Sequence, residues 1–151
     1  MTFQHGIGPA IPPHHGSKSA LASQALSPPQ PPLPPVLESL FGLVAEAVRK
    51  LEAAPDGGPE GDLPLREIGL LLGDVLDWLE EDQTILHAAD RLYEAAFALQ
   101  DARQWRSTCV TITERTLKAR ADAVPVVLAA FRASLSTAKP NARARARQIA
   151  W

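Results

Sequence analysis

The sequence is poor in cysteine, methionine and aromatic residues. Of its 151 residues, one is cysteine (Cys109), one is methionine and 5% are aromatic. A single cysteine cannot form an internal disulfide, so the chain is not a disulfide-framed secreted scaffold, and a reducing compartment suits it. The sequence also lacks a glycine-rich phosphate loop, an HExxH pattern and paired CxxC motifs. We therefore expect a protein that is not an enzyme and needs no cofactor.

Long apolar runs are also missing. None approaches the roughly 18 residues that a membrane-spanning helix needs. The opening MTFQHGIGPAIPPHHG has no basic region followed by an apolar stretch, so it does not match a secretory signal peptide. We expect a soluble, cytoplasmic protein with no membrane partner. Alanine, arginine, leucine and proline are abundant while lysine and asparagine are scarce, a bias that indicates a GC-rich bacterial or phage genome.

The small net charge of −2 hides two halves of opposite sign. Residues 38–101 hold fifteen Asp and Glu against four Lys and Arg, whereas residues 102–151 hold ten Lys and Arg against two acidic residues. Lys18 supplies the remaining charge, so the sum is −11 + 8 + 1 = −2. The halves either pack against each other as antiparallel helices or meet different partners. We favour the first interpretation.

The N-terminal segment, residues 1–35, contains nine of the fourteen prolines and no Asp or Glu. Such a segment buries too little apolar surface to fold alone, so we predict a disordered or extended arm. Its Pro28–Pro35 run favours polyproline II. The run contains PxxP patterns, but because no Lys or Arg flanks it, we interpret it as a spacer and not as a ligand for a peptide-binding domain.

Helical periodicity begins at Val36 and predicts an all-α domain over residues 36–138, a small helical bundle of three to four helices. The first helix follows Pro34 and Pro35 and ends before the turn-rich AAPDGGPEGDLP. The second element opens at Pro64, with Asp62 as an N-cap, and carries a seven-residue apolar repeat. The repeat consists of Leu71, Trp78, Ile85, Leu92 and Leu99, with Ile68, Val75, Ala89 and Ala96 at the other seam position.

This repeat permits one helix of about 40 residues over 64–103, or two helices that break between Glu81 and Thr84. We prefer the single long helix. After it we predict a third helix carrying Trp105, Cys109, Ile112 and Thr116. A fourth helix would follow, capped by Asp122, with Pro125 in its first turn and Lys139-Pro140 after its end. The basic tail, residues 139–151, alternates Arg and Ala, and we expect it to be frayed or to fold only on contact.

An acidic stripe on the second element is the strongest candidate for chemistry. Glu67, Asp74 and Glu81 lie seven residues apart, and clustered carboxylates can bind a divalent ion. The stretch LLLGDVLDWLEE resembles the GD-containing helix of the all-α MazG-type nucleotide pyrophosphohydrolases. That family has a glutamate where this chain has Leu71, and the paired glutamates of its preceding helix are missing from residues 36–54. We therefore interpret the stripe as a solvated helix face and predict no metal site.

The histidines and the cysteine give no further site. His5, His14 and His15 lie in the arm, where a histidine pair lacks a preorganised geometry. We interpret His87 as a surface residue paired with Asp90 and Cys109 as a buried apolar residue, because no histidine base is near it in sequence.

The basic C-terminal third has a second interpretation. Ten Lys and Arg, together with Trp105 and Trp151, could contact nucleic acid through phosphate pairing and base stacking. We prefer a tail that docks on an acidic protein surface, such as residues 38–101 of a neighbouring copy. The tail contacts predicted are Lys139, Arg143, Arg145, Arg147 and Trp151.

These observations favour a non-enzymatic structural or adaptor subunit of a larger assembly, with a protein partner or self-association. The repeat has more apolar positions than one bundle interior can hold. The surplus residues predicted to bind the partner are Leu70, Leu76, Trp78 and Leu99. A small subunit that binds nucleic acid through the basic C-terminal third is the alternative, and a metal-dependent enzyme on the acidic helix face is the third.

Overall fold

The structure is a computed structural model that describes residues 30–55, 62–108 and 111–150. These residues form five α-helices, and no strand occurs among them. The helices are α1 (Pro35–Ala53), α2 (Asp62–Trp78), α3 (Gln83–Thr108), α4 (Glu114–Ser134) and α5 (Ala142–Ile149). A 3₁₀ turn, Leu135–Thr137, follows α4. The all-α prediction is confirmed. No helix in the described ranges is both long and apolar enough to cross a membrane.

One hydrophobic core joins the four longer helices. Helix α1 packs along α2 and α3 packs along α4, while α2 also contacts α3. The core is filled mainly by leucine, valine and alanine from all four, with Phe131 of α4 as its largest member. Arg132 ties the end of α4 to the start of α1, since its guanidinium pairs with Glu38 at 3.1 Å and lies over the Phe41 ring.

The predicted start and end of the first helix agree with the structure. Proline is tolerated at the first helical position, because its missing N–H would have no partner there, and α1 begins at Pro35. Residue Pro34 has φ −50° and ψ 143°, close to polyproline II. Leu33, inside the predicted arm, is buried in the core. Residues 1–29 of that arm lie outside the described ranges.

The single long helix predicted over 64–103 is wrong. The chain turns between α2 and α3, at residues 79–82, and the two helices fold back on each other. Asp82 caps α3, because its carboxylate accepts hydrogen bonds from the backbone N–H of Thr84 at 2.8 Å and of Ile85 at 3.3 Å. Folding back brings both halves of the apolar repeat into one core, where α1 packs along the first half and α4 along the second.

The predicted limits of the third and fourth helices are also wrong. Helix α3 continues to Thr108, and α4 begins at Glu114, so Pro125 lies inside α4 instead of at its start. Thr113 supplies the N-cap, since its side-chain oxygen accepts from the Thr116 N–H at 3.1 Å. Asp122 is therefore not a cap, and it pairs with Lys118 at 2.5 Å. The exposed proline ring faces away from the core, where a lost backbone hydrogen bond is least costly.

We expect Asp82→Ala to lower the free energy of unfolding by about 1 kcal/mol, because it removes the cap of α3. Urea denaturation followed by circular dichroism measures the change. Glu81→Ala, one residue earlier in the same turn, is the matched control and should change stability by less than about 0.5 kcal/mol. Equal effects of the two substitutions would show that the Asp82 carboxylate does not hold the turn.

Candidate protein-binding face

Five large apolar side chains lie exposed on α2 and α3, namely Trp105 near the end of α3 and four others. Leu63 and Leu70 are 67% and 73% exposed, and Phe97 and Tyr93 are 52% and 39% exposed. Leu63 and Leu70 are seven residues apart and share one side of α2, while Tyr93 and Phe97 are four apart and share one side of α3. We call these four residues the apolar face.

Two contacts set the register of α2 against α3. Asp62 accepts a hydrogen bond from Gln100 at 3.4 Å. Gly69, seven residues later on α2, lies against the ring of Tyr93, seven residues earlier on α3. The two helices therefore run antiparallel, and Tyr93 and Phe97 lie level with the stretch of α2 between Leu63 and Leu70.

A groove of about 480 Å³ runs between the helices beside this face. Its lining is apolar except for two carboxylates. The lining residues are Gly69, Leu72, Gly73, Leu76, Ala89, Asp90, Tyr93 and Glu94. Asp90 and Glu94 are four apart on α3, so both lie along the same edge of the groove. The groove thus has an apolar floor and one acidic edge.

The two glycines of α2 make the groove open. A Cβ at Gly69 would lie 3.2 Å from Cε2 of Tyr93, so the missing side chain makes room for that ring. A Cβ at Gly73 would meet nothing within 4 Å. Glycine inside a helix costs about 1 kcal/mol relative to alanine. Packing within the described chain accounts for Gly69 but not for Gly73.

The structure separates the four predicted partner-binding residues. Leu70 belongs to the apolar face, and Leu76 is half-buried in the groove lining. Trp78 is half-buried against the core at the end of α2. Leu99 has no exposed surface, so its prediction as a surface contact is wrong: α3 turns this side chain into the core between the packed helices.

Sequence reasoning missed Leu63, Tyr93 and Phe97. Leu63 precedes Pro64, where the predicted second helix began, and it was not assigned to the repeat. Tyr93 follows the seam position Leu92, and Phe97 follows the seam position Ala96. The i, i+4 spacing of these two aromatic residues, beside the apolar seam of the repeat, was the sequence signal for a second apolar side of the helix.

The basic tail forms a helix over Ala142–Ile149 and is not frayed, and it lies in contact with the rest of the chain. Asn141 caps α5, since its side-chain oxygen accepts from the Ala144 N–H at 2.8 Å. Its side-chain amide donates to the Asp77 carbonyl, and its backbone N–H donates to the Trp78 carbonyl at 3.0 Å. One asparagine therefore closes the start of α5 and the end of α2 together.

The tail docks on the turn between α2 and α3 of its own chain. The Glu80 N–H donates to the Lys139 carbonyl at 2.8 Å, and Leu79 and Pro140 form a backbone bridge. The Arg145 guanidinium pairs with the Glu80 carboxylate at 2.6 Å. The acidic surface that this arginine meets is thus intramolecular. Trp151, the last predicted tail contact, lies outside the described residues.

A cleft of about 1000 Å³ lies where the tail meets α1 and α2. Arg143 and Arg147 line it from the tail, and Asp74 and Asp77 line it from α2. The remaining lining is partly apolar and consists of Val36, Leu40, Leu76, Trp78, Leu79, Asn141, Ala142, Ala144 and Gln148. Charges of both signs face this cleft, so it favours neither an anion nor a cation.

The acidic stripe is not one continuous helix face. Glu67 pairs with Lys50 at 3.3 Å, and Glu81 lies in the turn after α2 and not on the helix. Within the described ranges, no three or more His, Cys, Asp or Glu lie together as metal ligands. His5, His14, His15 and Cys109 fall outside those ranges, and His87 and Asp90 are exposed on α3.

Several cations of the C-terminal third have partners within the chain. Arg106 pairs with Glu114, Lys118 with Asp122, Arg132 with Glu38 and Arg145 with Glu80. Arg103 donates to the backbone carbonyls of Leu51 and Glu52 at the end of α1. Four of the ten basic residues thus hold α3, α4 and the tail against neighbouring segments, while the pair Lys118–Asp122 lies within α4.

We expect Gly73→Ala to raise the free energy of unfolding by about 1 kcal/mol, because alanine is the better helix former and its Cβ enters open space. Gly69→Ala is the matched control, and it should gain clearly less because its Cβ approaches the Tyr93 ring at 3.2 Å. Thermal or urea unfolding of the two variants compares them. An equal gain at both positions would show that the Tyr93 contact does not restrict Gly69.

We expect Asn141→Ala to destabilise the protein by about 2 kcal/mol, since it removes a helix cap and a hydrogen bond to α2. Asn141→Ser keeps a capping oxygen and should lose about half as much. Hydrogen exchange should show faster exchange at the Ala144 and Glu80 amides. Unchanged exchange at Glu80 in the alanine variant would contradict a shared closure of α5 and the turn.

No protein-family model, curated protein or solved structure matches the chain. The exposed apolar side chains of α2 and α3, and the open groove between them, are the features on which a functional proposal rests.

Proposed function

We propose that this chain is a non-enzymatic helical-bundle subunit of a larger assembly, and that it binds a protein partner through the apolar face. The observation that carries the proposal is the exposure of Leu63, Leu70, Tyr93 and Phe97 on the two adjacent helices α2 and α3. Isolated exposed apolar residues are ordinary, but large clustered ones beside an apolar groove are typical of protein interaction surfaces.

The size of the face is consistent with a specific interface. Burying a leucine or phenylalanine side chain fully contributes about 1.5–3 kcal/mol. Because the four side chains are already partly buried, covering their remaining exposed area can contribute on the order of 3–7 kcal/mol, against an association cost of about 4–15 kcal/mol. The apolar face therefore supplies a large part of the free energy that stable binding needs, and polar contacts at its edge must supply the rest.

A protein partner explains the charge distribution better than nucleic acid does. Phosphate binding gains from counterion release by Lys and Arg. Five of the cations in the C-terminal third are already engaged within the chain, and Arg143 and Arg147 share their cleft with Asp74 and Asp77. The carboxylates beside them weaken the attraction for phosphate. The apolar face, in contrast, makes no use of the basic residues.

The proposal is tested by capturing partners of the full-length protein from host cells, with and without nuclease. The Leu70→Ser/Phe97→Ser double variant should retain the fold and lose at least about 90% of each specific partner, because it removes the two largest contacts of the face. Val126→Ser/Ile149→Ser, at exposed apolar positions on α4 and α5, is the matched control and should retain them.

Circular dichroism and unfolding curves are used to check that both double variants are folded. Partners that survive nuclease and depend on Leu70 and Phe97 support the protein-binding function. Partners lost on nuclease treatment, with equal recovery by both variants, would contradict it and favour nucleic-acid binding. In that case Arg143→Gln/Arg147→Gln should weaken binding to random DNA or RNA and reduce its salt dependence.

A further inference from the structure

We propose that the groove between α2 and α3 receives one amphipathic α-helix of the partner, with basic residues along the edge that meets Asp90 and Glu94. This inference rests on the proposed function and specifies the chemistry of the partner. The occupant presents an apolar stripe to the groove floor and lysine or arginine to the acidic edge.

The shape of the groove fits a helix. It is bounded by two packed helices, and an amphipathic helix fits such a groove by placing its apolar residues at i, i+3, i+4 and i+7. On α2 the groove lining runs from Gly69 to Leu76, about 10 Å at 1.5 Å per residue. About two turns of a helix cover that length, and the turns beyond them reach the apolar face.

The open position at Gly73 sets how closely the partner approaches. No described atom lies within 4 Å of the place where a Cβ would stand. A helix backbone can therefore come nearer to α2 there than it could over any larger side chain. The Tyr93 ring lines the groove from α3, so an apolar side chain of the partner packs between this ring and Gly73.

The charges at the groove favour a basic edge on the partner. Asp90 and Glu94 are the charged residues that line it, and both are exposed on the same side of α3. Because Asp62 contacts Gln100 and Gly69 contacts Tyr93, Asp90 and Glu94 lie level with residues 68–72 of α2. The acidic edge therefore attracts cations along this part of the groove.

A second copy of the chain presenting the same face is a poorer occupant. Two concave grooves brought together leave the space over Gly73 unfilled, and an unfilled apolar space loses packing contacts. A convex helix fills it. The proposal therefore commits to a helix of a different protein, and self-association through the face is an outcome that the experiment can reveal.

The test uses two synthetic 16-residue helical peptides with the same leucine stripe, one flanked by lysine and one by glutamate. Each is titrated into the full-length protein, and fluorescence anisotropy measures binding. We expect the lysine peptide to bind on the order of tenfold more tightly than the glutamate peptide at low salt. The preference should shrink at 1 M salt, because the charges at the edge are then screened.

Two matched pairs of variants locate the binding. Gly73→Leu fills the groove and should weaken binding of the lysine peptide at least tenfold, whereas Gly42→Leu enters equally open space on α1 and should not. Glu94→Lys should remove the preference between the peptides, whereas Glu81→Lys, the same charge change in the turn, should largely keep it. Circular dichroism verifies the fold of each variant.

Absence of binding by both peptides, equal binding of the two, or equal effects of Gly73→Leu and Gly42→Leu would overturn the inference. Self-association that Gly73→Leu abolishes, measured by sedimentation, would overturn it in favour of a second copy. If the peptides fail while Leu70→Ser/Phe97→Ser still loses its captured partner, the protein-binding function stands and only the helical, basic occupant is rejected. If the variants lose neither the captured partner nor the peptide, both the protein-binding function of the apolar face and the helical occupant of the groove are rejected.

Discussion

The turn between α2 and α3 is the constraint on which the rest of the structure depends. The apolar repeat on both sides of it must be buried, and reversing the chain at residues 79–82 brings both halves into one core, where α1 covers the first half and α4 the second. The reversal leaves backbone groups at the end of α2 without helical partners, and Asn141 and Lys139 of the tail supply them. The same reversal places Gly69 against Tyr93 and so creates the groove. Core, tail and candidate site are all consequences of one change of direction.

Much of the fold could be predicted because apolar spacing indicates burial whatever the length of the helix. Ile68, Val75, Ile85, Leu92 and Ala96 are buried as the repeat requires. The turn could not be located from spacing alone, since the seven-residue interval continues across it. Asp82 and its polar neighbours indicate a break between two helices, whereas the uninterrupted seven-residue periodicity favours one long helix. Pro125 caused the opposite error, because it predicts the start of a helix at a point where α4 is continuous. An exposed proline ring is tolerated inside α4 because packing against α3 holds the helix.

The candidate site was predictable only in part, because surface position depends on tertiary packing. Leu70 could be identified as surplus to the core, whereas the exposure of Tyr93 and Phe97 depends on which side of α3 receives α4. The helical tail was missed for a different reason. Alternating Arg and Ala fits neither a solvated amphipathic helix nor a packed strand, but Asn141 caps the segment and Ala144 is small enough to lie against the core-side surface. A local cap and one tertiary contact decided its conformation.

The closure of the turn by the tail joins segments that are far apart in sequence: Asn141 and Asp77 are 64 residues apart. During synthesis, helices α1 to α4 leave the ribosome before Lys139 and Asn141 do. Closing so long a loop also has an entropic cost that local helix formation does not have. The backbone donor of Glu80 and the carbonyls at the end of α2 therefore gain their partners late, after the helices that they join have been made. The tail completes the fold last, so a chain interrupted before residue 139 would retain an open corner at which unfolding can begin.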